Sequence, residues 1–182
     1  MSTGEVRPPS PADPEAWNAY LAEGNATQPR KRVAADVLIR DESGRVLLVK
    51  PTYKPGWDLP GGMAEANEPP HEAAMRELVE ELGLELALGG LLVVDWAPPH
   101  GPWDDQLCFI FDGGVLDGVR ADELRPRDAE LSDASFVTAA DAQALLRPRL
   151  ARRLDVAIRA LAAGLPEYLY DGTSYSPMAH GF

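Results

Sequence analysis

Three glutamates, Glu77, Glu80 and Glu81, fall at i, i+3 and i+4 within the stretch Gly62–Leu84. On a helix that spacing aligns them in one stripe. Met75, Leu78, Val79 and Leu82 repeat at i, i+3, i+4 and i+7 and form an apolar stripe. At ~100° per residue the two stripes lie on roughly opposite sides. One side is therefore expected to enter a core while the other presents carboxylates. Like charges one turn apart repel by roughly 0.2–0.5 kcal/mol per pair, and Arg76, four residues before Glu80, offsets only part of this. Clustered carboxylate oxygens suit Mg²⁺ or Mn²⁺, which bind carboxylate, carbonyl and water, and Mg²⁺ usually keeps waters and meets substrate phosphates. From these residues alone, a cation site and a solvated acidic helix face both stand.

The elements that must position the glutamates lie next to them. Pro60-Gly61-Gly62 reads as a break after the short strand Trp57-Asp58-Leu59, with glycines that let the backbone approach a ligand closely. Glu65 and Glu68 fall in the loop that follows. Pro69 and Pro70 favour a helix start, and Gly83 a stop after Leu82. The spacing thus predicts a helix over 70–82, tied to the glycine turn by one short loop.

Taken together, these residues resemble the box of the Nudix hydrolase family, G-x5-E-x7-R-E-U-x-E-E-x-G-U, where U is aliphatic. Gly62, Glu68, Arg76-Glu77-Leu78, Glu80-Glu81 and Gly83-Leu84 match every defined position. The resemblance covers residues 62–84. It implies an α/β/α sandwich with a mixed β-sheet and metal-assisted hydrolysis of a diphosphate. It implies Glu77, Glu80 and Glu81 as metal ligands, with the Gly62 carbonyl beside them. Glu77 and Glu81 are the implied catalytic carboxylates, and Glu68 and Arg76 a structural salt bridge. His100, Asp104 and Asp105, from a later loop, also stand as candidate bases. Many relatives carry glycine where this chain has Asn67, and asparagine tolerates the left-handed backbone that such a turn needs.

Substrate choice is expected outside the box. The run Pro51–Trp57 precedes the glycine turn and offers Lys54 to a phosphate and Tyr53 and Trp57 to a base, with Trp57 doubling as core support. The proline-rich loop 97–105 offers Trp103 for stacking. Pro98 and Pro99 resemble a weak marker of ADP-ribose pyrophosphatases. Arg30-Lys31-Arg32 is a small basic island with two readings, a reach to phosphate or, ahead of it, a solvated strand edge. The expected substrate is a nucleoside diphosphate derivative or nucleoside triphosphate. The competing readings are a non-catalytic nucleotide-binding or regulatory protein of the same fold, and an enzyme of that fold acting on an isoprenoid diphosphate. The last would want a reactive cysteine at the mouth, whereas Cys108, the single cysteine, sits in the apolar run Leu107–Phe111 and reads as buried.

The wider sequence fits these expectations. A length of 182 residues suits one domain with terminal extensions. The organisation reads as an N-terminal tail with a short helix over 1–31, a catalytic domain over 32–163 and a C-terminal tail over 164–182. Asp13-Pro14-Glu15 caps the first helix, Trp17, Tyr20 and Leu21 mark one face, and Gly24 is its expected end. Strands are expected at 33–40, 45–50, 91–96, 106–112 and 135–138, and helices at 139–146 and 149–163 with Pro148 between them. Residues 165–182 carry no assignable pattern. The net charge of −12 argues against a broad grip on duplex nucleic acid. Without a signal-like start or an apolar run of ~20 residues, the chain is expected to be cytoplasmic and off the membrane. A homodimer is compatible with all of this.

Overall fold

The chain divides into two compact units, Met1–Arg30 and Lys31–Phe182. The structure, a computed structural model, describes residues 8–176. The ends of both expected tails, 1–7 and 177–182, lie outside the described residues.

In the first unit, α1 spans Pro14–Thr27. Asp13 caps it, its carboxylate accepting from the Ala16 amide at 3.1 Å, and Pro14 opens it. Gly24 does not end the helix. It sits inside the last turn, and the chain leaves α-geometry only at Gln28, in extended backbone. A glycine inside a helix costs about 1 kcal/mol against alanine without breaking it. Thr27 Oγ1 donates to the Glu23 and Gly24 carbonyls at 3.3 and 3.0 Å and ties off that turn.

The second unit is built on an eight-stranded mixed sheet. Its strands are β1 (Arg32–Asp41), β2 (Val46–Pro51), β3 (Gly61–Met63), β4 (Leu91–Ala97), β5 (Gln106–Leu116), β6 (Leu131–Val137), β7 (Glu167–Tyr170) and β8 (Thr173–Ser174). The order is β6-β2-β1-β5-β4-β7-β8. β1 runs parallel to β5 and β4 parallel to β7, and the other pairings are antiparallel. The remaining helices are α2 (Pro70–Leu82), α3 (Gly118–Glu123), α4 (Ala139–Leu145) and α5 (Pro148–Ala163).

Alternation along β1 sorts the two faces of the sheet. Ala35, Val37 and Ile39 point to α2 and pack with Ala74, Leu78 and Leu82. Leu38 faces the other way and packs with Leu150, Leu154 and Ala157 of α5. A helix layer on each face makes the α/β/α sandwich.

Several expectations need adjustment. Pro60-Gly61-Gly62 is not a turn that ends a strand: Gly61–Met63 is itself β3, paired to Ala34–Asp36 of β1. Trp57 and Asp58 make only isolated bridges, to Leu146 and Val49. Pro148 does not interrupt a helix but opens α5 at its first position, where a missing amide costs nothing. The unassigned segment after 164 supplies β7, which extends the sheet beyond β4. In α2, Val79 is exposed while Ala73, Ala74 and Glu81 are buried, so the inward face is turned relative to the apolar stripe. The sheet accepts alanines where α2 comes close to it.

Candidate active site

One edge of β1 is shared. At its far end it pairs with β2 (Arg40 opposite Val46), and nearer its start with β3 (Ala34–Asp36 opposite Gly61–Met63). A cleft of about 760 Å³ lies beside this junction. Arg32, Ala34 and Asp36 of β1 and Gln106 and Cys108 of β5 contribute to its lining, as do Gly61, Gly62 and Met63 of β3 and Glu77 and Glu81 of α2.

Two glycines bring α2 to the sheet. A Cβ on Gly61, at φ +134°, would lie 2.2 Å from the Ala35 carbonyl oxygen, and one on Gly62 would lie 2.5 Å from the Glu77 carboxyl. At Gly61 only glycine fits against the β1 backbone, whereas at Gly62 a side chain would displace the Glu77 carboxyl. At the far end of α2, Gly83 adopts φ +64°. Its amide donates to the Val79 carbonyl and the Leu84 amide to the Leu78 carbonyl, an αL-type closure that fixes the last turn, and with it Glu80 and Glu81.

The loop before α2 is held by Arg76. Its Nε and Nη2 donate to the two Glu68 carboxylate oxygens at 2.9 and 3.1 Å, and Nη2 also donates to the Met63 carbonyl at 3.2 Å. Glu68 accepts in addition from the Glu65 amide at 2.7 Å. The Arg76 guanidinium and that amide hold the Glu68 carboxyl below the usual carboxylate range. Asn67 turns this loop at φ +64°, the left-handed conformation that the relatives' glycine would take.

The three glutamates sit in unequal surroundings. Glu80 is exposed (55 %) and accepts from Arg76 Nη1 at 3.0 Å; it is not part of the cleft lining. Glu77 is half-buried and accepts from the same Nη1 at 3.0 Å. Its carboxyl is raised, chiefly by burial, against the lowering effect of Arg76. Glu81 is 6 % exposed, and its Oε2 is buried with no hydrogen-bond partner. Burial first, then Glu77, Asp128 and Glu130, push its carboxyl up to about 8, while the Gly61 amide bonded to it pulls the other way. Among the described residues, no three acids converge as a closed cation cage; Arg76 Nη1 sits between Glu77 and Glu80. What the cleft presents is a pair of neighbouring acids, Glu81 buried and Glu77 half-buried, with one Glu81 oxygen left without a hydrogen-bond partner.

The substrate candidates separate. Tyr53, Lys54, His100 and Trp103 line the cleft. Lys54 is ion-paired with Asp58, and Arg32 stacks on Trp103 with its guanidinium carbon 4.5 Å from the ring centre. Trp57 is not in the lining; it packs on the α5-side core, with Lys50 Nζ 5.8 Å from its ring centre. Asp105 is occupied by Lys31 and by Trp96 Nε1, which lies 2.9 Å away, and Asp104 is exposed and outside the lining. His100 Nδ1 lies 3.0 Å from the Pro98 carbonyl, which can only accept, so the hydrogen bond there is donated by Nδ1–H.

Sequence reasoning passed over Asp36, Asp58, Glu130, Arg147, Arg149 and Arg153, all of which line the cleft. They come from β1, from the segments before β3 and β6, and from the start of α5, and carry no shared local spacing signal. Arg32 lines the cleft too, instead of a solvated edge.

The sequence profile of the NUDIX domain matches residues 30–161, most of the chain. The chain belongs to the Nudix family. Among its relatives, a putative 8-oxo-dGTP diphosphatase of Bacillus subtilis (strain 168) is 44 % identical over 84 residues, 46 % of this chain and 54 % of the relative. An ADP-ribose pyrophosphatase of Mycobacterium tuberculosis (strain ATCC 25618 / H37Rv) is 29 % identical over 130 residues, 68 % of this chain and 61 % of the relative. This Nudix chain thus spans between 54 % and 61 % of the length of these two. The crystal structure of the MutT protein from Methanosarcina mazei Go1 superposes with a TM-score of 0.60 at 22 % identity, covering 75 % of this chain and 99 % of that one, and shows the shared fold.

Proposed function

We propose that this Nudix chain is a divalent-metal-dependent hydrolase that cleaves the diphosphate linkage of a nucleoside diphosphate derivative or nucleoside triphosphate. The observation that carries this reading is Glu81: a carboxylate buried beside Glu77, with an unpartnered oxygen, at a cleft walled by Gly61 and Gly62. Burying unpaired charge is costly, and the usual compensations are a proton or a cation.

The donor set fits a hard cation. Glu77 and Glu81 supply carboxylate oxygens, Gly62 a carbonyl, and Glu80 a further carboxylate once it leaves Arg76. When bound, the cation polarises the phosphoryl oxygens and lowers the pKa of the attacking water. Glu77, Glu81 and Glu130, all in the cleft lining, are the candidate carboxylates to take that water's proton. Arg76 and Glu68 hold the loop that carries the β3 end of the site. Trp103 and Tyr53, both more than half exposed on the cleft rim, offer faces to a base. The 8-oxo-dGTP diphosphatase and ADP-ribose pyrophosphatase among the relatives support a nucleotide substrate.

The test is a screen of ADP-ribose, dinucleotides, nucleoside triphosphates, oxidised nucleotides and prenyl diphosphates with Mg²⁺ or Mn²⁺, with products identified by mass. Cleavage between phosphorus atoms of a nucleotide is the expected result. Cleavage of prenyl diphosphates alone would overturn the nucleotide reading. With a nucleotide hit, Tyr53→Ala and Trp103→Ala should raise KM more than they lower kcat, since stacking holds ground state and transition state alike.

A further inference from the structure

The cleft carries a second cluster of charge, opposite in sign to the glutamates. Lys54, Arg147, Arg149 and Arg153 all line it. The arginines occupy the first turns of α5: Arg147 is its N-cap, with no side-chain cap bond, and Pro148 its first residue. The two clusters are electrically distinct. Arg76, Glu80 and Glu130 act on Glu77, and Glu77, Asp128 and Glu130 act on Glu81. Those acting on Asp36 and Cys108, deeper in the cleft, include Arg149, Arg153 and Lys54.

Each arginine is pre-set by a carboxylate but not used up by it. Arg153 Nε bonds Asp95 Oδ2 at 2.5 Å, Arg149 Nε pairs with Asp171 at 2.6 Å, and Arg147 Nη2 lies 3.6 Å from Asp58. A guanidinium has five donors, and contacts through Nε leave the terminal nitrogens for a planar anion. A buried pair such as Arg153–Asp95 seldom adds more stability than an apolar pair would, so stability alone does not account for it. Arg32, in the same lining, leaves its Nη1 buried without a hydrogen-bond partner. A diphosphate held by cations at the glutamate end does not need these groups.

We propose that the substrate carries a further anionic group, a phosphate or carboxylate on the moiety beyond the scissile diphosphate, and that Arg147, Arg149 and Arg153 receive it. The inference rests on the hydrolase reading for placing the diphosphate at Glu77 and Glu81. Bidentate arginine contacts suit such a group, and they act on binding more than on the chemical step. Asp58 is already neutralised by Lys54 and Arg147, and the raised Asp36 carboxyl, at about 7, opposes an anion less than an ordinary aspartate would.

The test compares ADP-ribose with its counterparts phosphorylated at the 2′ or 3′ hydroxyl of the adenosine ribose. At least one phosphorylated form should show a kcat/KM higher by tenfold or more, carried mainly by KM. In the Arg147→Gln/Arg149→Gln double variant the ratio should fall toward one. Arg153 is left in place because removing it strands the buried Asp95. A ratio near one in the wild type, or one unchanged in a double variant that melts like the wild type, would overturn the proposal. A second arm measures calorimetric binding of AMP and of the adenosine 2′,5′- and 3′,5′-bisphosphates in excess chelator. Tighter binding of a bisphosphate by the wild type, lost in the double variant, supports the anion site even if no nucleotide is hydrolysed; equal binding of all three overturns it. Failure of hydrolysis alone counts against the hydrolase reading.

Discussion

Glu81 concentrates the chemistry at the scale of single residues. Its folded carboxyl is raised to about 8, far above the unfolded value of 4.5. A raised carboxyl favours folding below the unfolded pKa, and that contribution is lost as pH rises through the folded one. In chelator, the wild-type Tm should therefore decline from about pH 4.5 to about pH 8, whereas Glu81→Gln lacks this decline. The Tm advantage of the variant should grow with pH; a constant offset would contradict the buried-charge account. Activity should move the opposite way. Glu81→Gln and Glu80→Gln are each expected to lower kcat by about a hundredfold or more with folding intact, because a lost ligand charge removes several kcal/mol of transition-state stabilisation. Near wild-type turnover in both would contradict a metal-ligand role for Glu80 and Glu81. Cys108 lines the same cleft, but burial pushes its thiol up to about 12, so it stays protonated and unreactive at neutral pH. Native protein should resist a thiol reagent at pH 8 until unfolded; rapid labelling would revive the isoprenoid-diphosphate alternative.

Among the elements, the close approach of α2 to β3 decides whether those residues can act. Gly62→Ala puts a methyl group 2.5 Å from the Glu77 carboxyl, the flexible end of a side chain. The fold should tolerate it while activity falls. Gly61→Ala meets a backbone carbonyl at 2.2 Å in a left-handed conformation and should destabilise by well over the ~1 kcal/mol typical of point changes. Equal melting of the two variants would refute this distinction. α2 was legible in the sequence because its information is local: two prolines at the start, a glycine at the end and carboxylates at helical spacing. Its orientation was less legible, since burial of Ala73 and Ala74 depends on how near the sheet lies, and apolar periodicity ranks alanine below Met75 and Val79. β3 was hidden because glycines lack strand propensity and pair only when β1 is already beside them. β7 was hidden because it adds to the far edge of a sheet that no local pattern announces. The acidic half of the site was therefore readable, while the arginine half, assembled from β1, the β2–β3 loop and α5, was not.

At the scale of the molecule, the net charge of −12 and the cleft's two-signed lining divide the work. Surface acid disfavours duplex nucleic acid, and the internal cations suit the small phosphorylated substrate proposed above. No helix among the described residues is long and apolar enough to cross a membrane. The sandwich sets α2 and α5 on opposite faces of one sheet, and the cleft receives carboxylates from the first and arginines from the second. The central claim is that this arrangement hydrolyses a diphosphate with the help of a divalent cation at Glu77, Glu80 and Glu81. The most direct measurement is turnover of the best nucleotide substrate in excess chelator, followed by titration with Mg²⁺ or Mn²⁺, for wild type and Glu81→Gln side by side. Activity that vanishes in chelator, returns with the cation in the wild type and stays down in the variant is the expected result; robust hydrolysis in excess chelator would contradict it.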